Sequence, residues 1–211
     1  FNRGGNRTFA EISIQMASNY TGKLAAEGYI ILASNYRKND EFGGNDINDV
    51  LNLIETAQYI PKADTSKIGM FGWSRGGMMT YLSLKYSNRI KAAIVGNGPT
   101  NLFSTIEARP GIETNVLQEC IPNYSVNKTQ ALEERSAVFW PEKLCKTTQL
   151  LILNGTKDIR MDYHQTLELA KNLDAISYPF QLKLFETDHF FSDMKKELNF
   201  EVISWFNQHL K

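Results

Sequence analysis

Three residues of this chain have the types and the order that activated-serine chemistry needs. Ser74 stands in Gly-Trp-Ser-Arg-Gly-Gly, Asp158 in Leu-Asn-Gly-Thr-Lys-Asp, and His189 in Glu-Thr-Asp-His-Phe-Phe. A serine hydroxyl is a weak nucleophile until a base takes its proton, an acid orients that base, and N–H donors await the charge that develops on the attacked carbonyl. Glycines two residues either side of Ser74 leave room for a sharp strand-to-helix bend that exposes the hydroxyl, with the helix N-terminus facing the developing charge. The backbone N–H of Arg75 is then one oxyanion donor.

The base is found by elimination, because the chain has three histidines. His164 falls in a helical stretch and His209 in the last turn of the terminal helix, where surface positions are expected. His189 instead follows an apolar run, where a loop at the carboxyl edge of a sheet reaches the crevice. The acid should also follow a strand end, between serine and histidine. Asp158 does so, whereas Asp162 is placed to cap the next helix and Asp188 is too close to His189 to orient it.

Those residues need a scaffold of strand ends. Continuous apolar runs at Gly28–Ser34, Lys67–Gly72, Lys91–Gly96, Gln149–Gly155 and Phe180–Glu186 predict five strands covered on both faces. Between them lie helical patterns: Ile47, Val50, Leu51 and Ile54 after a cap at Asn45 or Asp46; a helix from Ser74 to about Tyr86; one led by Asp162 with Leu167, Ala170 and Leu173 inward; and a last one with Leu198, Val202, Trp205 and Phe206 on one face. Alternating strands and helices imply an α/β fold with a mostly parallel sheet and helices on both faces. The interval at about 101–146, with Pro110, Pro122 and Pro141, breaks this rhythm and predicts irregular helices over the sheet's edge. The chain order Ser74, Asp158, His189 is that of an α/β-hydrolase.

With 211 residues the chain suits a single domain, 1–211. Its charges balance at zero, which gives no electrostatic reason to bind nucleic acid or an anionic membrane, and no apolar run is long enough for membrane insertion. Cys120 and Cys145 are too few for a disulfide framework, and unpaired thiols are the expectation. No phosphate-cradling glycine loop and no cluster with metal-ligand spacing occurs, so no cofactor or metal is expected.

Beyond these residues, Phe42–Val50 (FGGNDINDV), the Gly72–Tyr81 stretch, Glu134–Trp140 (ERSAVFW), LNGTKD and TDHFF together resemble the prolyl oligopeptidase family of serine peptidases, in its small bacterial single-domain form. The resemblance covers nearly the whole chain. It implies a Ser74–Asp158–His189 triad that cleaves peptide bonds through an acyl-enzyme. Where larger relatives carry a tyrosine before paired glycines, this chain has Arg3, so the second oxyanion donor is expected from the backbone at Arg3, Gly4 and Gly5. The Arg3 side chain itself is expected to make a surface contact, with a grip on a substrate carboxylate as the alternative. Asn97, Phe103 and Arg135 are candidates for the substrate pocket; Phe103, Phe139 and Trp140 are expected either to line an apolar subsite or to pack in the core. The amine-recognising acids that dipeptidyl peptidases of the family place in a propeller are not implied. The family's sheet usually has eight strands, so N-terminal strands are expected to be absent from this chain, which reads as the C-terminal part of the domain. Exposed sheet edges would then favour a homo-oligomer. A carboxylesterase acting on small esters uses the same machinery, and a non-catalytic α/β-hydrolase-like binding protein is the alternative from another class.

Overall fold

The computed structural model describes residues 1–211. Four strands, β1 (Ile68–Trp73), β2 (Ile90–Gly96), β3 (Gln149–Gly155) and β4 (Phe180–Phe185), lie side by side in chain order and are parallel throughout. Successive side chains leave a strand on opposite faces, and both faces here are apolar. Met70, Ala93, Val95, Leu150 and Ile152 enter one core, and Phe71, Ala92, Ile94, Leu151 and Leu153 enter the other.

The first core is roofed by α2 (Ile47–Thr56), α3 (Arg75–Tyr86) and α6 (His164–Ala175). It is completed by the 101–146 interval, which folds into α4 (Leu102–Ala108), a run of short turns, α5 (Tyr124–Glu134) and two single 3-10 turns. The second core is covered by α7 (Lys195–Leu210), with Leu198, Val202, Trp205 and Phe206 buried, and by Leu24 of α1 (Ile14–Ala26). No helix is long and apolar enough to cross a membrane. Cys120 and Cys145 are both free thiols.

Four expectations need correction. The run Gly28–Ser34 is not a strand: only Ser34 is bridged, in parallel, to Asn2, and Asn2 is bridged in turn to Gly72 of β1. A strand requires a ladder partner, and N-terminal to Asn2 the place beside β1 is an apolar opening of about 380 Å³, lined by Phe1, Ile31, Ile54, Met70, Phe71 and Phe206. On α6, Leu169 and Leu173 face the core while Leu167 is 40% exposed, because the buried stripe runs through Gln165, Thr166, Leu169 and Leu173 at helical spacing and Leu167 falls outside it. Asp46 occupies the N-cap of α2 but makes no capping bond; its carboxylate turns away to Arg75. His209 is not a surface residue: it is half-buried, edge-on to Trp205 at 4.3 Å, with Nε2 enclosed and unpartnered.

Candidate active site

At the carboxyl end of β1 the chain bends through Ser74, at φ 55° and ψ −125°, and enters α3 at once. A non-glycine residue at positive φ costs roughly 1–2 kcal/mol, so the bend is held by its surroundings. Ser74 N–H donates to Gly96 O (2.8 Å) on β2, and Gly77 N–H donates to Ser74 O (2.8 Å). The glycines are required by close approach. A Cβ on Gly72 would lie 2.0 Å from Gly76 O, and one on Gly76 would lie 1.9 Å from Asn2 O.

The Asp158 and His189 loops meet beside this bend. His189 Nδ1 and Asp158 Oδ2 are 2.6 Å apart, with the side chains 5% and 0% exposed, so the carboxylate is shielded from competing water. The other carboxylate oxygen accepts the N–H groups of Arg160 (2.7 Å) and Met161 (3.0 Å), which fixes the plane of the group. The carbonyl of His189 is clamped twice, by the Trp73 indole N–H (3.1 Å) and by Asn97 Nδ2 (2.9 Å). Ser74 Oγ is not hydrogen-bonded to the imidazole; such contacts commonly close only when substrate arrives.

Gly4 lies against the bend: a Cβ there would sit 3.2 Å from Ser74 Cβ and 3.8 Å from Ser74 Oγ. Gly5 follows at φ +71°, where a side chain would also strike Phe9 O. The N–H groups of Gly4, Gly5 and Arg75 donate to no backbone acceptor.

Several expected roles are revised. Arg3 makes no surface contact and faces no substrate: it is fully buried, and its guanidinium donates to the carbonyls of Gly4 (3.0 Å), Phe9 (2.9 Å), Arg7 (2.7 Å) and Asn35 (2.7 Å). It is the frame on which the glycine loop is bent. Arg135 likewise spends its donors on the carbonyls of Phe42 (2.8 Å), Ala131 (2.9 Å) and Glu41 (3.1 Å), and so ties that turn to α5 rather than lining a pocket. Asn97 is wholly buried. It cannot touch substrate; it donates to His189 O and accepts Gly155 N–H (2.8 Å), bridging the loops after β3 and β4. Phe103 is half-buried, edge-on to Phe139 at 5.7 Å, and Trp140 is core.

Beneath the bend lies a charged cluster that no spacing in the sequence revealed. The Arg75 guanidinium is buried and pairs with both Asp40 and Asp46, against the rings of Tyr36 (4.7 Å) and Phe42 (4.8 Å). Burial pushes the Asp46 carboxyl up from the ordinary range despite Arg75. Burial acts the same way on Asp40, but Arg75 and the backbone N–H groups of Arg7 and Phe42 outweigh it and hold that carboxyl low. The only legible signal was the presence of two aspartates within a few residues of an apolar helix start.

A parallel sheet flanked by helices, with a nucleophile-type bend and an acid–histidine pair at its carboxyl edge, defines an α/β-hydrolase fold. Solved structures agree. An acylaminoacyl peptidase from Pyrococcus horikoshii superposes with a TM-score of 0.70 at 23% identity, over 84% of this chain and 31% of that one. A puromycin-hydrolyzing peptidase from Mycobacterium tuberculosis superposes at 0.69 and 22% identity, over 81% of this chain and 26% of that one. Residues 18–211 match the prolyl oligopeptidase family, Peptidase_S9, and the chain belongs to that family. Among curated proteins it is similar to the uncharacterized peptidase YuxL of Bacillus subtilis, 28% identical over 208 residues, and to the acylamino-acid-releasing enzyme of Sus scrofa, 24% identical over 214 residues. It spans 31% and 29% of the lengths of those two proteins.

Proposed function

We propose that this chain is a serine-type peptidase that forms an acyl-enzyme on Ser74. The observation that carries the reading is the Asp158–His189 pair at 2.6 Å, sealed from solvent beside a strained serine bend. Asp158 keeps the proton on Nδ1, so that Nε2 is the basic nitrogen. His189 takes the Ser74 proton as Oγ attacks the substrate carbonyl, and the N–H groups of Arg75 and of the Gly4–Gly5 loop receive the oxyanion. His189 then gives that proton to the leaving amine. Water deprotonated by the same nitrogen attacks the ester, and return of the proton to Oγ completes the cycle.

Peptides are favoured over small esters because the family is that of an oligopeptidase and YuxL is a peptidase by name, and because the other relative is named for releasing acylamino acids, peptides with a blocked N-terminus are the first substrates to try. Phe103 and the exposed Phe139 beside it are the proposed apolar wall. The test is labelling with a fluorophosphonate probe, with the adduct mapped by mass spectrometry. Adduct on Ser74, lost in Ser74→Ala, is expected. A folded chain that takes no adduct would refute the reading and favour the binding-protein alternative.

A further inference from the structure

The buried cation under the bend has a geometry that stability alone does not explain. Taking one guanidinium and two carboxylates out of water is costly, and apolar replacements of similar size are often as stable. This cluster is imperfectly satisfied even so, since Arg75 Nε is enclosed without a partner. What the charges achieve is position. Arg75 Nη1 donates to Gly5 O (3.0 Å) and pairs with Asp40, and Asp40 accepts the Arg7 N–H (2.7 Å). The Tyr36 ring stacks on Arg75 while its hydroxyl donates to Arg3 O (2.9 Å). The loop bearing Gly4 and Gly5 is therefore gripped on both sides of its glycines by groups attached to the Arg75 side chain.

We propose that the Arg75 side chain, locked by Asp40 and Asp46, is a positioning group for the oxyanion hole: the backbone of this residue supplies one N–H donor while its guanidinium sets the place of the Gly4–Gly5 donors opposite. The proposal rests on the Ser74 reading above. One residue thus couples the two halves of the hole, which come from chain segments about seventy residues apart. A lysine could carry the charge but not the fork, which must reach Gly5 O, Asp40 and Asp46 at once.

The test compares a nitrophenyl ester with its thionoester, in which sulfur replaces the carbonyl oxygen. Sulfur is larger and a weaker acceptor, so the ester-to-thionoester ratio of kcat/KM reports how well the N–H donors meet an oxyanion. Asp40→Asn, Arg75→Lys and the milder Tyr36→Phe, which removes only the hydroxyl, are each compared with wild type. Thermal melts establish which variants are folded. Losing a whole donor costs about 10²- to 10³-fold in kcat, so a displaced loop should lower the ratio about tenfold or more in Asp40→Asn and Arg75→Lys. Tyr36→Phe should lower it less, and KM should change little in all three. Glu119→Gln, which loosens only the exposed Arg7 contact of the same loop, should leave the ratio at the wild-type value. An unchanged ratio in every folded variant overturns the inference while leaving the Ser74 reading intact. Wild-type chain that is folded but takes no fluorophosphonate overturns both.

Discussion

Replacing Asn97 should uncouple the two loops that bring His189 to Asp158. Its carboxamide spans Gly155 N–H and His189 O, at φ 46°, a conformation that asparagine tolerates better than most residues. In Asn97→Ala the His189 carbonyl keeps the Trp73 indole, so that lost bond costs about 0.5–1.5 kcal/mol. The Gly155 N–H is buried and left with no partner, at about 1–3 kcal/mol. Alanine at positive φ adds about 1 kcal/mol, which glycine avoids. Asn97→Ala should therefore lose about 4 kcal/mol and Asn97→Gly about 3 kcal/mol. For a chain of this size that corresponds to melting points lower by roughly 8–16 °C and 6–12 °C. Urea unfolding followed by Trp fluorescence measures the difference, and ester hydrolysis by the fraction still folded should fall in both variants because the His189 loop is freed. A loss below about 1 kcal/mol in the alanine variant, with an unchanged denaturant slope, would refute the bridge. Equal losses in the two variants would refute the backbone part.

Asp158→Asn should lower kcat by about 10⁴-fold in steady-state hydrolysis, since an amide facing Nδ1 favours the wrong tautomer, while the backbone bonds to Arg160 and Met161 can persist. Gly76→Ala should cost more than about 3 kcal/mol, because its Cβ meets Asn2 O at 1.9 Å and backbone cannot swing aside; failure to accumulate as folded protein by gel filtration is the readout. Asp40 has a folded-state pKa below its ordinary value of 3.8. Its stabilisation is complete above the unfolded pKa and is lost as pH falls through the folded one, so Asp40→Asn should flatten the acid limb of a stability–pH curve below about pH 4.

The four strands of the sheet were readable because a strand buried on both faces is written as an unbroken apolar run, and local sequence suffices to see it. Gly28–Ser34 is written in the same way and is not a strand, because pairing is a property of the neighbour and not of the segment. The Ser74, Asp158 and His189 positions were legible as strand ends in the right chain order. The destinations of Arg3, Arg135 and Asn97 were not: each spends its hydrogen bonds on distant carbonyls or amides, and composition carries no record of which backbone groups tertiary folding will leave unpaired. Arg75 showed the same limit within the serine bend itself, where its N–H was foreseeable and its side chain was not.

The clamp on the His189 carbonyl joins it to Trp73 across 116 positions of sequence and to Asn97 across 92. Synthesis runs from the amino end, so the residues of the serine bend are made long before the base that would activate them. A growing chain that has released β1 to β3 carries Ser74 and Asp158 but not yet His189, the imidazole that the proposed chemistry uses to activate the serine. On the proposed chemistry, the nucleophile is thus translated first, and its base follows only when the loop after β4 has left the ribosome.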